Sequence, residues 1–461
     1  MRILGGLLAA LVVSGCAGEG TRSVSLVVTN GQVVTMDGSR RVLPSGGVAI
    51  DRDRIVAVES TEELARHFRA EQAIDAGGGI IMPGLINTHT HAPMVLYRGL
   101  ADDLALMDWL QKYIFPAEAK TVSPAFVRTG TRLAALEMIQ SGTTTFADMY
   151  YFESTIAEEV AQAGLRGVLG QTVIQFPVAD ARTPQEGLAR AEAFIRQWNG
   201  HPLITPAVAP HALYTLDAAT LQAARRLAVE QHVPMLIHLA ETEAEAQTAR
   251  ERGAASAVAY LDGLGVLGRG VLGAHGVWVS PEEVAVLKAR GVGIAHNPAS
   301  NMKLASGVAP VPAYLSAGVA LGLGTDGAAS SNDLDMFMAM RLAALLHKVE
   351  QQDPRVVPAT AVVEMATLGG ARALGLEAVT GSLEPGKRAD VIVVGVDGAA
   401  QTPLFDPLSH LVYVAHGGDV RHTVVNGRVL MKDRRVLTLN EPSVLADARL
   451  AAGAVRAAVA P

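Results

Sequence analysis

GIIMPGLINTHTH, at Gly79–His91, decides the fold and the site of this chain. It opens with an apolar run, Ile80–Met82, and closes with His89 and His91, two histidines one residue apart. Successive side chains of a strand face opposite sides, so residues i and i+2 share a face. The two imidazoles can therefore point at one spot, and imidazole is a common ligand of zinc and similar metals. Alone, such a pair is more often a surface or core feature, so the rest of the chain must decide.

From Gly79 onward, short apolar runs alternate with helix-length amphipathic stretches, which is typical of βα units and a parallel sheet. The runs are Ile80–His89, Thr143–Met149, Arg166–Ile174, Leu203–His211, Val233–Glu241, Gly270–Gly276, Gly291–Asn297 and Val319–Asp326. Helical candidates between them include Pro124–Gln140, Pro184–Trp198 and Asp217–Gln231. Eight such units over roughly 300 residues predict a (β/α)8 barrel, whose catalytic face lies at the C-terminal ends of the strands.

Segments of β character flank this barrel on both sides. Val24–Val58 carries Asn-Gly, Asp-Gly and Gly-Gly turn signals, and a short helix at Thr61–Arg69 is expected after it. Helices are expected at Asp333–Val349 and Pro358–Leu374, before the β character returns. The returning segments are Gly381–Val394 and Arg421–Leu430, the second with a tight hairpin at Asn426-Gly427.

We predict an α/β fold in which both flanking segments combine into one small β-sandwich beside the barrel. The predicted divisions are a signal peptide at 1–15, sandwich segments at 24–78 and 377–435, the metal-dependent barrel at 79–376, and a C-terminal helix or tail at 436–461.

The composition of the chain indicates which classes of partner it can bind. The chain has 461 residues and a formal net charge of −7 at pH 7, without a basic patch, an aromatic-rich strip or a block of like charge. This pattern argues against a nucleic-acid partner and is compatible with a small-molecule substrate. A homo-oligomer is expected.

Cys16 is the only cysteine of the sequence, so an intrachain disulfide and a thiolate metal site are excluded. It follows Arg2 and an apolar core, Ile3–Val13, that is too short to span a bilayer. The tetrapeptide VSGC at 13–16 resembles a bacterial lipobox, which predicts a lipid on Cys16; an ordinary cleaved signal is the alternative. We expect an exported periplasmic or cell-envelope lipoprotein whose only membrane contact is that lipid.

Polar residues end three further runs. The fifth, VPMLIHLAE, presents His238 and then Glu241; the sixth, GVLGAHG, presents His275; the eighth, VALGLGTDG, presents Asp326. Singly, each has an ordinary explanation as a core histidine, a turn or a helix cap. Together with His89 and His91, at strand ends on one face of one barrel, they predict a metal site.

This pattern resembles the amidohydrolase superfamily. The segments NTHTHAPMVLYRGLADDLALMDWL, EMIQSGTTTFADMY, AHNPASNMKLASGVAPV and GLGTDGAASSNDLDMF are similar to the S-adenosylhomocysteine / 5′-methylthioadenosine deaminases and their chlorohydrolase-related enzymes. The resemblance covers nearly the whole mature chain. His211, rather than a lysine, ends the fourth run, so a binuclear site with a carboxylated lysine is not expected.

The resemblance implies one zinc ion, with iron(II) as an alternative. The implied ligands are His89, His91, His238 and Asp326. Bound zinc lowers the pKa of water towards about 7, and the metal-bound hydroxide attacks a ring carbon that bears an amino group. Glu241 is the expected proton donor and shuttle, although a solvated carboxylate at a helix start is the plain alternative. Asp326 is expected to accept the water proton as well, and His275 to orient the hydroxide or to bind the metal weakly.

By resemblance, Glu118 in IFPAEAK holds ribose hydroxyls and His211 in APHALYT lies near the sugar or its 5′ substituent. An exposed helix-start position is the alternative for Glu118, and Trp109 either walls the pocket or packs in the core. Gln171 stands where the family has a substrate-contacting arginine, and a neutral amide cannot pair with a charged group as guanidinium does. This weakens the case for a homocysteine carboxylate.

We therefore expect a hydrolytic deaminase that converts 5′-methylthioadenosine, S-adenosylhomocysteine or adenosine to the inosine analogue and ammonia. An alternative keeps the site but acts on another N-heterocycle, such as a triazine, a guanine-like base or a cyclic amide. A remote alternative is a lipoprotein that captures a ligand without turnover.

Overall fold

The computed structural model describes residues 21–459 and contains a barrel and a separate mixed sheet. The strands are β1 (Arg22–Val34), β2 (Val42–Asp51), β3 (Arg54–Ser60), β4 (Phe68–Asp75), β5 (Ile80–Pro83), β6 (Leu85–Thr90), β7 (Thr143–Tyr150), β8 (Arg166–Val173), β9 (Ile204–Pro210), β10 (Met235–Leu239), β11 (Val271–His275), β12 (Gly293–His296), β13 (Ala320–Leu323), β14 (Val391–Val394), β15 (Val420–Val425), β16 (Arg428–Lys432) and β17 (Arg435–Val436).

The helices follow the same order. They are α1 (Thr61–His67), α2 (Leu106–Trp109), α3 (Phe115–Thr121), α4 (Pro124–Gln140), α5 (Glu153–Ala163), α6 (Pro184–Trp198), α7 (Ala218–Glu230), α8 (Glu243–Glu251), α9 (Ala257–Gly263), α10 (Pro281–Arg290), α11 (Pro298–Lys303), α12 (Val311–Ala317), α13 (Met336–Gln351), α14 (Ala359–Glu364), α15 (Gly370–Ala373), α16 (Pro407–Tyr413) and α17 (Glu441–Val459). Within residues 21–459, no helix is both long enough and apolar enough to cross a membrane.

The predicted barrel is confirmed. Strands β6 to β13 pair in parallel and in chain order, and β13 returns to β6 to close the ring. Every residue of β7 and β8 is buried, because side chains point either into the barrel or towards the surrounding helices. A parallel strand that is buried on both faces appears in the sequence as a continuous apolar run, and these runs allowed the strands to be predicted.

The first predicted run, Ile80–His89, is two strands rather than one. β5 pairs with β1 and β14 in the mixed sheet, whereas β6 belongs to the barrel. Gly84 lies between them, and a Cβ there would stand 2.1 Å from the Thr144 side chain. The missing side chain lets the backbone pass from one sheet to the other, and His89 still ends a barrel strand.

The two ends of the chain build one unit, as predicted. Its strand order is β17-β16-β15-β14-β5-β1-β2-β3, with β4 also paired to β1, and its apolar core draws on both ends, for example Ile50 and Val391. The sequence prediction missed β4, most of whose residues are exposed or half-buried, so that no alternating pattern marks it. The predicted hairpin at Asn426-Gly427 is confirmed, with φ of 51° and 76° at the two turn residues.

The helix predictions at Pro124–Gln140 and Pro184–Trp198 are confirmed with the same bounds. The single helix predicted at Pro358–Leu374 is interrupted by a π-helical turn at Met365–Gly369. A Cβ on Gly369 would lie 2.7 Å from the Leu321 carbonyl oxygen, so this turn packs directly on a barrel strand. The predicted signal peptide and Cys16 lie outside the described residues.

Candidate metal centre and active site

The C-terminal ends of the barrel strands carry six polar side chains that the sequence predicted as one site. They are His89 near the end of β6 and His91 just after it, His238 in β10 and Glu241 just after it, His275 at the end of β11, and Asp326 just after β13. Parallel strands of a barrel end on the same face, so residues distant in the chain meet there.

The nitrogen and oxygen donors converge. Nε2 of His89 and Nε2 of His91 lie 3.2 and 3.3 Å from Oδ1 of Asp326. Nε2 of His238 lies 3.3 Å from Nε2 of His91, and donor atoms of His89, His238 and His275 lie within 4.8 Å of one another. Two imidazole nitrogens that direct lone pairs at each other at that separation repel unless a proton or a cation lies between them.

The donor set fits a divalent cation. Nε2 of His89 is buried and makes no well-oriented hydrogen bond within residues 21–459, although Oδ1 of Asp326 is close. An unpaired buried polar atom is costly, and a metal ion would compensate for it. Imidazole nitrogens with one carboxylate oxygen are a ligand set of catalytic zinc and related metals.

Burial fixes most of the protonation states that such a cation requires. It lowers the pKa of His89 to about 4 and that of His238 well below its ordinary value, so both rings are neutral at pH 7. Burial would raise the pKa of Asp326, but hydrogen bonds and charge from His89 and His91 hold it well below its ordinary value. Burial also opposes protonation of His91, yet Asp326 raises its pKa to about 9, so a cation must displace that proton.

Main-chain carbonyl groups orient the rings of His91 and His238. Nδ1 of His91 lies 2.6 Å from the Met149 carbonyl oxygen, and Nδ1 of His238 lies 2.8 Å from that of His211. Each Nδ1 therefore donates its proton away from the centre. This leaves the Nε2 lone pair of each ring directed at the metal position.

Hydrogen bonds also fix the side chains of Asp326 and His275. Ser300 and Ser330 both donate to Oδ2 of Asp326 at 2.7 Å, so Oδ1 remains for the centre. Nδ1 of His275 lies 2.8 Å from Oδ1 of Asn301. Both Asp326 and His275 have left-handed backbones, with φ of 63° and 77°. Such strain persists only where surrounding contacts impose it, and it is common at functional sites.

Glu241 is a buried carboxyl group beside the ligand cluster, only 3% exposed. Its Oε2 lies 3.7 Å from Nε2 of His275, and Ser306 donates to its Oε1 at 3.2 Å. Burial raises its pKa above the ordinary value of a glutamate, which favours a carboxyl group that can hold a proton and pass it on. Its main-chain N–H donates to Oε2 of Glu245 at 2.9 Å, which fixes the turn after β10.

A cavity opens from this cluster, and the sequence-predicted residues Glu118, His211 and Trp109 line it. Glu118 is buried in α3 and accepts a hydrogen bond from the Tyr150 hydroxyl at 2.7 Å. Burial raises the pKa of Glu118 to about 7 and lowers that of His211 to about 3. The exposed helix-start alternative for Glu118 is therefore wrong, and its substrate-binding role stays a prediction.

Gln171 is not placed as predicted. Its amide Nε2 donates to Asp180 at 2.9 Å, its Oε1 accepts from the Glu153 N–H at 3.4 Å, and it does not line the cavity. Thr172, the next residue of β8, lines the cavity instead. Alternate residues of a strand face opposite sides, so Gln171 points to the layer outside the barrel.

Several contributing residues carried no assigned role in the sequence. They are Tyr150, Thr172, Ser300, Asn301, Ser306, Ser330 and Glu245. The segment AHNPASNM contains Ser300 and Asn301, and its similarity to known enzymes was the only signal for them. Tyr150, Ser306 and Ser330 also lie in the quoted segments and had the same signal, whereas Thr172 and Glu245 lie outside them and had none.

Comparisons with known proteins agree with this site. Residues 80–430 match the sequence profile described as the Amidohydrolase family. The chain is 46% identical to a 5-methylthioadenosine/S-adenosylhomocysteine deaminase of Syntrophobacter fumaroxidans, over 95% of this chain and 100% of the relative. It is 45% identical to a 5′-deoxyadenosine deaminase of Methanococcoides burtonii, over 93% and 97% respectively. A crystal structure of an adenosine deaminase from Xanthomonas campestris with bound zinc superposes with a TM-score of 0.93 at 38% identity, covering 95% of this chain and 100% of that one.

Proposed function

Because this chain belongs to the amidohydrolase family, we propose that it is a metal-dependent hydrolytic deaminase of adenosine-like nucleosides. The observation that carries the proposal is the buried Glu241 carboxyl group, 3.7 Å from His275, beside a cluster of imidazole and carboxylate donors. A cavity that contains a second buried carboxyl group, Glu118, leads to that cluster.

We propose zinc as the cation, held by His89, His91, His238 and Asp326. A divalent cation there supplies a water-derived nucleophile at neutral pH, because it lowers the pKa of water towards about 7. The donor set supports zinc, and the similar Xanthomonas campestris structure was solved with zinc bound.

Glu241 moves the protons. Attack at the ring carbon that bears the amino group pushes charge onto the neighbouring ring nitrogen, and the Glu241 carboxyl group donates a proton there. Asp326 takes one proton of the attacking water and returns it to the departing amine. Glu241, ionised after its donation, takes the other proton from the new hydroxyl group as the carbonyl forms, so both carboxyl groups end as they began. Water is added and ammonia is lost, so the product is the inosine analogue. Proton transfer of this kind contributes about 10²- to 10⁴-fold to the rate.

His275 lies beside Glu241 at the ligand cluster. Its Nε2 faces Glu241, and Asn301 fixes its ring through Nδ1. The Nδ1–H donates to Oδ1 of Asn301, so Nε2 can accept a hydrogen bond from the attacking water and hold its oxygen in line with the ring carbon. Glu118 and His211 bind the sugar, since a buried carboxylate can accept hydrogen bonds from both hydroxyls of a vicinal diol.

The test is ammonia release by the purified, zinc-loaded protein. The panel contains 5′-methylthioadenosine, S-adenosylhomocysteine, adenosine, 5′-deoxyadenosine, guanine, cytosine and a chlorotriazine. Glu241→Gln keeps the size of the side chain but removes its acid function. Glu243→Gln is the matched control, since Glu243 is an exposed residue of the adjoining helix.

We expect ammonia from the adenosine compounds, about a 10²- to 10⁴-fold loss of kcat in Glu241→Gln, and activity in Glu243→Gln close to wild type. Metal content should be equal in all three proteins. Activity on no purine, with one equivalent of metal bound, would overturn the nucleoside proposal. Turnover of the chlorotriazine alone would favour the heterocycle alternative.

We further propose export and a lipid on Cys16, on the strength of the VSGC tetrapeptide. Metabolic labelling with a fatty acid should mark the wild type and not Cys16→Ala. Unlabelled wild-type protein that is recovered in the cytoplasm would overturn this proposal. A homo-oligomer stays a prediction, to be checked by light scattering.

A further inference from the structure

Trp278 is a surface residue that makes two hydrogen bonds beside the Glu241 carboxyl group. It is 44% exposed, so almost half of its surface is open to solvent. Its main-chain N–H donates to the Ala240 carbonyl oxygen at 2.8 Å, and its indole Nε1–H donates to the Ser306 carbonyl oxygen at 2.7 Å. One residue therefore joins the loop after β11 to the turn after β10 and to the loop after α11.

The turn after β10 sets the main-chain direction at Glu241. Ala240, the residue before it, has a left-handed backbone with φ of 50°. A residue other than glycine keeps such a conformation only where surrounding contacts impose it. Here the Ala240 carbonyl oxygen accepts the N–H groups of both Val277, at 2.9 Å, and Trp278. The main chain at Glu241 therefore depends on the loop that carries Trp278.

Ser306 fixes the carboxyl group itself. Within residues 21–459, its hydroxyl group makes the one side-chain hydrogen bond to the Glu241 carboxyl group, donating to Oε1 at 3.2 Å. The other oxygen, Oε2, faces Nε2 of His275 at 3.7 Å. The terminal torsion of a glutamate side chain has broad minima, so without this hydrogen bond either oxygen could turn towards the site.

The main chain of Ser306 is held from two sides. Its N–H donates to the Asn301 carbonyl oxygen at 2.9 Å, and its own carbonyl oxygen accepts the indole N–H of Trp278. Gly307 follows with φ of 123°, and a Cβ there would lie 2.9 Å from the Val277 side chain. The loop therefore packs directly on the residue before Trp278, and the indole N–H is one of the contacts that place the Ser306 hydroxyl group.

We propose that Trp278 is a positioning residue for the proton transfers of this enzyme. Its indole N–H fixes Ser306, and the Ser306 hydroxyl group holds Oε1 of Glu241 so that Oε2 faces the substrate. The inference rests on the proposed function, in which Glu241 donates a proton to the ring nitrogen and then takes one from the new hydroxyl group. A carboxyl group that keeps its direction presents the same oxygen to both transfers, and small misplacements of a reacting group are costly in rate.

The test separates this positioning role from substrate binding and from stability. kcat and KM for the best nucleoside substrate of the panel, and Tm, are measured for the zinc-loaded wild type, Trp278→Phe, Ser306→Ala and the double variant. Phenylalanine keeps an aromatic ring without the N–H donor, and alanine keeps the carbonyl oxygen at 306 without the hydroxyl group. Trp198→Phe is the matched control, because Trp198 is half-buried and its Nε1 makes no hydrogen bond within residues 21–459.

We expect kcat to fall about 10- to 100-fold in Ser306→Ala, which removes a hydrogen bond to a carboxyl group that must ionise. Trp278→Phe displaces that hydroxyl group and should lower kcat about 2- to 10-fold. The double variant should be no slower than Ser306→Ala, because Trp278 acts only through the hydroxyl group. KM should stay within about twofold throughout, since neither residue lines the catalytic cavity. Trp198→Phe should match the wild type.

An unchanged kcat in Trp278→Phe would overturn the inference while leaving the deaminase function intact, even if Tm fell. So would a loss of kcat from Trp278→Phe that is as large in the Ser306→Ala background as in the wild type, because the indole would then act by another route. A rise in KM alone would also contradict it. A wild type that is inactive on every nucleoside of the panel would instead overturn the proposed function and this inference with it.

Discussion

Replacement of Glu118 by glutamine tests how the cavity recognises a sugar. Glutamine has the same shape but offers one acceptor oxygen and no charge. A hydrogen bond to a charged group contributes about 1.5–3 kcal/mol, against about 0.5–1.5 kcal/mol for a neutral one. Two hydroxyls of a ribose diol would each lose the difference. We therefore expect Glu118→Gln to lose about 2–3 kcal/mol of transition-state binding, or about 30- to 150-fold in kcat/KM.

The pH dependence follows from the burial of Glu118, which places its pKa at about 7. The ionised form binds the diol, so activity is lost as the pH falls through that value. The ionised fraction is about nine-tenths at pH 8 and about one-tenth at pH 6, so kcat/KM should fall about tenfold between them. Tyr150 donates to Glu118 and lowers its pKa. Tyr150→Phe should accordingly move this fall to higher pH, and Glu118→Gln should remove it.

The assay is ammonia release from adenosine and 2′-deoxyadenosine between pH 6 and pH 8. The wild type should prefer adenosine, and Glu118→Gln should lose most of that preference, because a neutral acceptor contributes less than a charged one to the hydrogen bond with the 2′ hydroxyl. Glu243→Gln serves again as the exposed control. If Glu118→Gln kept its preference for adenosine and the same fall at low pH, Glu118 would not be the group that binds the diol.

Three other predictions concern the metal and the scaffold. Removal of the metal with a chelator should abolish ammonia release and lower Tm, because a cation that binds only the folded chain stabilises it. One equivalent of zinc should restore both activity and Tm. Recovery of activity without added metal would contradict the proposed metal site. Asp390→Ala should cost about 3–5 kcal/mol in urea unfolding, because the buried Arg166 guanidinium loses the two hydrogen bonds, at 3.1 and 3.2 Å, that join it to Asp390. Asp353→Ala, which breaks a surface ion pair with Arg355, should shift the urea midpoint much less. Gly427→Ala should lower Tm more than Gly200→Ala. Both glycines have positive φ, but only at Gly427 would a Cβ lie 1.7 Å from a carbonyl oxygen. Equal decreases in Tm would show that the backbone relaxes this close contact.

The barrel could be predicted because burial on both faces leaves a continuous apolar run at each strand, and helix-length amphipathic stretches separate these runs. Strand β4 left no such mark, since most of its side chains are exposed or half-buried. The split of Ile80–His89 was equally hidden, because Gly84 divides two strands of the same apolar character that pair in different sheets.

Within the site, the sequence determined the ligand types and their positions at strand ends, and the resemblance determined how they combine. His89, His91, His238, His275, Glu241 and Asp326 could each be named from a local pattern. Only the tertiary structure decided which atoms converge, which serines donate hydrogen bonds to Asp326, and that Gln171 faces Asp180 outside the barrel. Composition and periodicity report burial and strand or helix geometry, which act within a few residues. The distance between two side chains far apart in the chain depends on strand pairing and barrel closure, which no local pattern encodes.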